Sequence, residues 1–307
     1  MQCKFYKFCL LILIIPALLV GGCNSDKGKR KPGLLDDREA AEIVDRIETI
    51  KQVYHLSPSP AEMLSVIDVA ELSFDVGLLN PPGNMDNYHD TKSQTIGLGI
   101  YITDLAYAAL FGRHEETLDY LDVVRTMAEQ IRVTGAIDDE LIENARNNVE
   151  YLDSLFNISN EAFINMLFFC ERNDRPNTVI MLSAGAFIES LFLAVNLAGD
   201  NGQTDYILQH LADQKYALDN LMMFAESMRD QDPNVAAVME DMKPIKEFYD
   251  DITVIGGTTT VETVKASDDQ PKKLVIGGGS KPTLSKKEFE KLKKTTVELR
   301  NKLLLIK

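Results

Sequence analysis

The chain has 307 residues, a formal net charge of −15 and no tryptophan. A surface of that sign repels phosphate backbones, so DNA and RNA are excluded as expected partners. The four cysteines have neither the spacing of a disulfide framework nor that of a paired-cysteine metal site.

Residues 1–22 have the three parts of a secretory signal, with Lys4 and Lys7, an apolar segment and small residues before Cys23. The apolar segment is shorter than the roughly 20 residues that a membrane-spanning helix needs, so we expect it to be cleaved. The sequence Val20-Gly21-Gly22-Cys23 resembles the lipobox of bacterial lipoproteins, whose cysteine is acylated and becomes the first mature residue. Cys23 is the predicted lipidation site, and an ordinary signal with a chance cysteine is the alternative.

Residues 23–33 are polar, charged and interrupted by glycine and proline. A segment with so little apolar surface cannot offset the entropy of ordering, so it predicts a flexible tether. Four basic residues lie between Lys27 and Lys31, where they could contact anionic lipid headgroups. A solvated tether with no such contact is the alternative.

Apolar residues recur at helical spacing from residue 34 to 251. This predicts an all-α domain of antiparallel helical hairpins, arranged as a bundle or as a solenoid-like array. The predicted helices are 36–54, 60–79, 92–111, 115–133, 138–155, 160–172, 177–198, 203–230 and 234–250. Pro244 lies inside the last one and is expected to kink it or to end its first half.

Residues 252–307 predict a small β-hairpin and a terminal helix, packed on the helical domain. Residues 258–266 alternate and are rich in β-branched side chains, and residues 273–276 form a second such run. Ser285 and Glu288 have the spacing of a capping box at the start of the helix. The segment has twelve Lys or Arg and six Asp or Glu, so a basic tail follows an acidic body.

Two pairs of segments resemble each other at offsets of 85 and 86 residues. Residues 104–108, which begin with Asp104, have a counterpart in residues 189–194, which begin with Glu189. Asp119-Tyr120-Leu121 likewise matches Asp205-Tyr206-Ile207. Duplicated helical hairpins would produce this pattern, and chance similarity between amphipathic helices is the alternative.

Small residues interrupt two of the most apolar predicted helices, in Gly97-Leu98-Gly99 and Ala184-Gly185-Ala186. They predict close helix packing, with a small pocket between helices as the alternative. Cys170 lies in an apolar stretch and is predicted to be a buried thiol that behaves as a small hydrophobe.

The sequence contains no familiar catalytic or metal-binding motif, since no two of the four histidines have ligand spacing on a helix. We therefore expect no metal and no cofactor. Tyr88, His89 and Asp90 are the candidate site residues, because they place an imidazole beside a carboxylate in a predicted loop. A solvated loop histidine without a role is the alternative.

Four segments resemble a group of uncharacterised, mostly helical lipoproteins from Bacteroidota. They are LGIYITDLAYA (98–108), NNVEYLDSLFNIS (147–159), QKYALDNLM (214–222) and TLSKKEFEKL (283–292). The resemblance implies a location in the cell envelope and a single helical module, and it supplies no catalytic residue. Surface display in that phylum is linked to acidic residues soon after the lipidated cysteine. Here basic residues follow Asp26, so we expect the periplasmic face of the outer membrane.

Three functions are compatible with these features. The leading hypothesis is a lipid-anchored binding or scaffold module for a protein, a peptide or a cationic partner in the envelope. One alternative is an enzyme, for example a hydrolase, with a site built from distant helices near Tyr88, His89 and Asp90. A glycan-capture lipoprotein is a second alternative, which the absence of tryptophan disfavours.

Asp153-Ser154-Leu155 also resembles a short O-glycosylation sequence of that phylum.

Overall fold

The computed structural model describes residues 60–69, 72–134, 152–199, 204–257, 260–264, 273–277 and 280–304. All of them belong to the compact unit Asp45–Lys307. The predicted signal, the tether, Cys23 and the predicted helix 36–54 lie outside the described residues. So does residue range 138–151, and the side chain of Ser154 is not described.

The described part of the chain is all-α with two short antiparallel ladders, as predicted. Its helices are α1 Pro60–Val69, α2 Thr91–Leu110, α3 His114–Gln130, α4 Leu152–Arg172, α5 Pro176–Ala198, α6 Asp205–Met228, α7 Pro233–Asp251 and α8 Lys286–Leu303. The strands are β1 Val254–Ile255, β2 Thr260–Val264, β3 Lys273–Gly277 and β4 Lys281–Pro282.

The helix predicted over 60–79 is wrong from Leu72 onward. The chain continues into two short 3-10 helices, Val76–Leu78 and Pro82–Asn87. The Asp75 side chain accepts a hydrogen bond from the Gly77 N–H at 2.8 Å and caps the first of them. This local bond between side chain and backbone competes with an α-helix and outweighs the apolar periodicity.

One further helix prediction is wrong, and one of the two outcomes expected at Pro244 is ruled out. The break predicted between 155 and 160 is absent, because α4 runs without interruption from Leu152 to Arg172. No glycine or proline lies at that point to end a helix. Pro244 does not end α7, which continues to Asp251. Glu240, whose carbonyl loses its N–H partner at the proline, is exposed to water, as is Pro244.

α5 is the central helix of the bundle. Helices α1, α2, α4, α6, α7 and α8 all pack against it. Among the described residues it is the one helix long and apolar enough to cross a membrane by length and composition, with a mean hydropathy of 2.0, but its apolar window is fully buried in the bundle. A helix that is apolar all round is therefore surrounded here by other helices.

α2 and α5 cross at two glycines, which confirms the predicted close packing. A Cβ atom at Gly99 would lie 2.2 Å from the Leu182 carbonyl oxygen, and one at Gly185 would lie 2.1 Å from the Ile96 carbonyl oxygen. No side chain fits at such distances, so only glycine permits this approach. The two contacts are equivalent at an offset of 86 residues.

The contacts among the first six described helices also repeat between the two halves of the chain. α2 packs on α3 and on α4, and α5 packs on α6 and on α1. The counterparts are therefore α1 and α4, α2 and α5, and α3 and α6. A duplicated three-helix unit would give this pattern.

The predicted β-hairpin is present as β2 and β3, with Thr260 opposite Gly277. β1 pairs with β4 beside it, with Ile255 opposite Lys281. The capping box predicted at the start of α8 is also confirmed.

Candidate functional site: a buried charged cluster and an exposed surface

The three candidate residues Tyr88, His89 and Asp90 are placed in different surroundings. The Asp90 carboxylate caps α2 and accepts a hydrogen bond from the Ser93 N–H at 2.9 Å, which lowers its pKa. The His89 side chain is exposed. The Tyr88 ring is buried, and its hydroxyl accepts a hydrogen bond from Asn80 Nδ2 at 3.3 Å. Of the three, only Tyr88 reaches the polar interior.

That interior contains three ionisable residues from three helices. Glu189 of α5 and Asp104 of α2 are fully buried, and Arg300 of α8 is 6 % exposed. Arg300 donates two hydrogen bonds of 2.7 Å, one to each carboxylate oxygen of Glu189. Such a bidentate pair is among the strongest ionic contacts in proteins. We call these three residues the buried cluster.

Arg300 also fixes the ends of neighbouring elements. Its Nη2 donates to the Leu78 carbonyl oxygen at 2.9 Å, and its guanidinium lies 3.9 Å from the centre of the Phe192 ring. This buried cation therefore has partners on its Nε, its Nη2 and its ring-facing side, as burying a charge requires. Together with the buried side chains of Phe289 and Leu292, Arg300 holds the terminal helix to the bundle.

Asp104 is held differently from Glu189. Its Oδ2 accepts the Asn80 N–H at 3.1 Å, and its Oδ1 has no conventional donor among the described residues. Burial raises the pKa of Asp104 well above its usual range, and the negative charge of Glu189, which lies within hydrogen-bonding reach, raises it further. A raised pKa favours the protonated form of Asp104, and a protonated carboxyl group could donate a hydrogen bond to Glu189 in place of the repulsion between two carboxylates.

Asn80 connects the loop after α1 to the buried cluster. Besides the two bonds to Asp104 and Tyr88, its carbonyl oxygen accepts from the Tyr120 hydroxyl at 2.9 Å. Its side-chain oxygen accepts from Asn84 Nδ2 at 2.7 Å. Each polar atom of Asn80 therefore has a partner, and the loop at Asn80 is bonded directly to Asp104 of the buried cluster.

These surroundings make the buried cluster part of the fold's interior. The three tyrosines around it, Tyr88, Tyr101 and Tyr120, are all buried, and burial raises the pKa of each phenol. No group of three or more His, Cys, Asp or Glu residues that could hold a metal ion occurs in the described ranges. Cys170 is a buried free thiol as predicted, and burial raises its pKa to about 11.

A second feature lies on the outside, on α6 and β1. Six large apolar side chains are exposed in the described part of the chain, and five of them lie on these two elements. They are Tyr206, Tyr216, Met223, Val254 and Ile255, and we call them the α6–β1 surface. The sixth, Val76, lies on the loop after α1.

The two parts of this surface are joined through β4. Gln209 Nε2 of α6 donates to the Pro282 carbonyl oxygen at 3.1 Å, and the Tyr216 hydroxyl donates to the Ser280 carbonyl oxygen at 2.7 Å. β4 in turn pairs with β1. β4 therefore lies between α6 and β1, and Met223 lies two turns beyond Tyr216 along α6.

Sequence reasoning did not identify either feature as a site. Asp104 and Glu189 stood out only as members of the internal similarity, although an ionisable residue inside an apolar helix is itself a signal of a buried partner. Arg300 gave no signal, because it belongs to a lysine-rich helix. Comparisons with known proteins do not assign either feature, since no family model, curated protein or solved structure matches this chain.

Proposed function

We propose that the protein is a lipid-anchored helical module that binds a protein or peptide partner in the bacterial cell envelope. The observation that carries the proposal is the α6–β1 surface. Isolated exposed apolar residues are ordinary, but here five of the six in the described part of the chain lie on α6 and on β1, on either side of β4, and such a concentration is typical of an interaction site. Tyrosine and methionine are also residue types that interfaces favour.

The charge of α6 supports a partner that carries basic residues. Asp205 and Asp213 are exposed beside Tyr206 and Tyr216, and Asp230 is exposed just beyond the helix. A partner with lysines or arginines around an apolar strip would pair with these carboxylates at the rim of the surface. Rim charges of this kind act mainly on association rate and specificity.

The interior supports a binding function over catalysis. The carboxyl groups of the buried cluster are closed off by Arg300, Asn80 and buried tyrosines. A general acid or base must reach the proton that it transfers, and these groups reach only each other and their partners in the chain. Their contacts hold helices together.

The lipid anchor of the proposed function depends on acylation of Cys23. Acylation at Cys23, on the outer membrane and facing the periplasm, would place the body beside envelope proteins. Metabolic labelling with a palmitate analogue tests this directly. We expect the label on the wild-type chain and none on Cys23→Ser, and a labelled serine variant would contradict the assignment.

Crosslinking in cells tests the binding surface. In the double variant Tyr206→Glu/Met223→Glu, two exposed side chains acquire charge without entering the core. Val76→Glu is the matched control, because Val76 is equally exposed and lies elsewhere. After reversible crosslinking and quantitative mass spectrometry of the co-purified envelope proteins, we expect the double variant to lose partners that the control keeps. Equal recovery from both variants would refute the proposed surface.

A further inference from the structure

Exposed charges of the two signs lie on different helices. The exposed charged residues of α6 are all acidic, namely Asp205, Asp213 and Glu226. Those of α7 are four carboxylates and one lysine. Of the helices in the described part of the chain, only α8 has more exposed basic than acidic residues, with five lysines against two glutamates. The folded chain therefore has one basic side on an acidic body.

The basic side of α8 follows from its helical periodicity. Lys287, Lys291 and Lys294 recur at i, i+4 and i+7 and so lie along one face of the helix. The opposite face is buried in the bundle through Phe289 and Leu292. The exposed lysines in the first half of the helix form a surface that we call the α8 basic face. They are Lys286, Lys287, Lys291 and Lys294.

Two carboxylates contact this face without closing it. Lys294 Nζ lies 3.9 Å from Glu298 Oε1, and Lys291 Nζ lies 3.7 Å from Asp251 Oδ2. All four side chains are more than half exposed. Exposed pairs of this kind are weak, so the lysines can exchange them for anions of a partner.

We propose that the α8 basic face lies against the anionic phospholipids of the membrane to which Cys23 is predicted to be attached. A lysine near such a surface is attracted to it, and the attraction fades over about 8 Å at physiological salt. The exposed carboxylates of α6 are repelled by the same surface. The division of charge would therefore turn α8 towards the bilayer. Lysine suits this contact because it is a point charge on a flexible stem, which meets mobile headgroups without a fixed geometry.

This inference goes beyond the proposed function and rests on it only through the anchor. It states which side of the body faces the membrane, and it leaves Tyr206 and Met223 of α6 to the protein partner. The basic residues of the tether, Lys27–Lys31, have the same sign as α8 and would lie at the same surface.

Vesicle binding of the mature chain, residues 23–307, tests the inference without the anchor. Cys23→Ser removes the predicted acylation site, so that binding depends on the protein surface alone. The vesicles are phosphatidylcholine alone or phosphatidylcholine with about one quarter phosphatidylglycerol, which is anionic. Sedimentation of the vesicles gives the bound fraction and the partition coefficient.

Two double variants remove the same charge from different places. Lys287→Gln/Lys294→Gln acts on the α8 basic face, whereas Arg229→Gln/Lys243→Gln removes two exposed cations elsewhere. We expect the parent chain to bind the anionic vesicles and not the neutral ones. The α8 variant should bind about fivefold more weakly per lysine lost, and the control should change by less than about twofold.

Lysine acetylation of the chain without these substitutions locates the contact. The tether attracts the chain to the vesicles in every variant, so the binding side is read from individual lysines by mass spectrometry. We expect anionic vesicles to slow the acetylation of Lys287 and Lys294 several-fold and to leave Lys243 unchanged. This measurement stands even if a double variant fails to fold, as circular dichroism would show.

Three results would overturn the inference. The first is equal weakening in the two double variants, and the second is acetylation of Lys287 and Lys294 that anionic vesicles do not slow. The third is unchanged vesicle binding by Lys287→Gln/Lys294→Gln together with loss of a crosslinked envelope protein in cells, which would show that α8 binds an acidic protein. The palmitate label on Cys23 and the crosslinking of Tyr206→Glu/Met223→Glu are measured separately, so failure of the proposed function is distinguishable from each of these.

Discussion

The buried cluster and the α6–β1 surface depart from the usual distribution of residues in opposite directions. One places charges inside the fold and the other places large apolar side chains outside it. The charges inside find their partners within the chain, because Arg300 meets Glu189 and Asn80 meets Asp104. The apolar side chains outside have no such cover. Buried charges that are paired within the chain contribute to stability. Exposed apolar side chains that nothing in the described part of the chain covers indicate a binding partner.

Removing the one cation of the buried cluster should give the largest effect. Arg300→Met leaves Glu189 charged and unpaired in the interior, which costs about 3–5 kcal/mol of unfolding free energy. Lys302→Met is the matched control on the same helix, since the Lys302 side chain is 62 % exposed and its pair with Asp241 contributes little. Denaturant unfolding measures both. An Arg300→Met variant as stable as the control would contradict the structural role of the cluster.

The crossing of α2 and α5 should be the next most sensitive point. Gly185→Ala forces a methyl group against the Ile96 backbone, and moving the helices apart costs about 1–3 kcal/mol. Gly83→Ala is the matched control because nothing lies within 4 Å of its Cβ position, and we expect a change below about 0.5 kcal/mol. Thermal and denaturant unfolding would report the difference. Similar losses at the two glycines would show that the helices do not cross as described.

The proton on Asp104 should appear as a pH dependence of stability. The pKa of Asp104 in the folded protein is raised above 3.8, so the folded state keeps a proton that the unfolded chain releases. Its contribution is fully present below about pH 4 and is lost as the pH rises through the folded pKa, at up to about 1.4 kcal/mol per pH unit. Asp104→Asn is neutral in both states and removes this slope.

Comparing Asp104→Asn with the wild type separates the titration of Asp104 from that of the other ionisable groups. The free energy of unfolding of Asp104→Asn minus that of the wild type should rise as the pH increases above about 4, and it should level off once the pH has passed the raised pKa of Asp104 in the folded state. Glu189→Gln should instead be destabilised at every pH, because it takes the carboxylate away from Arg300. Parallel stability curves for Asp104→Asn and the wild type would mean that Asp104 carries no retained proton.

Changes on the α6–β1 surface should have the smallest effect on stability. Tyr206→Glu/Met223→Glu alters side chains that are 50 % and 62 % exposed, so we expect a change within about 0.5 kcal/mol per site. Chemical denaturation of the purified variant measures it. A loss of several kcal/mol would show that these residues belong to the core and would remove the basis of the proposed surface.

Much of the fold could be predicted from sequence because its signals are local. Asp232 caps α7, and Ser285 with Glu288 caps α8, as their spacing indicates. The errors also have local causes. Asp75 caps a 3-10 helix inside the range that was predicted as one helix over 60–79, and α4 continues through residues 155–160 because no glycine or proline lies there to end it.

The two features of functional interest depend on distant contacts, which sequence reasoning could not supply. Arg300 and Glu189 are 111 positions apart, and their pairing exists only once α8 docks on α5. Met223 and Tyr216 look like ordinary apolar residues of an amphipathic helix, and only the packing of α6 shows that they face outward. The close packing of α2 and α5 could be predicted, because small residues interrupt both apolar segments at Gly99 and Gly185.

The buried cluster is expected to stabilise the fold, and the α6–β1 surface is expected to bind the partner. The most direct test is the yield of crosslinked envelope proteins from Asp104→Asn and from Tyr206→Glu/Met223→Glu, measured in the same cells at equal expression. We expect Asp104→Asn to give the wild-type yield of crosslinked proteins and the double surface variant to give a much lower yield. A folded Asp104→Asn protein that loses its partners, beside a surface variant that keeps them, would contradict the account.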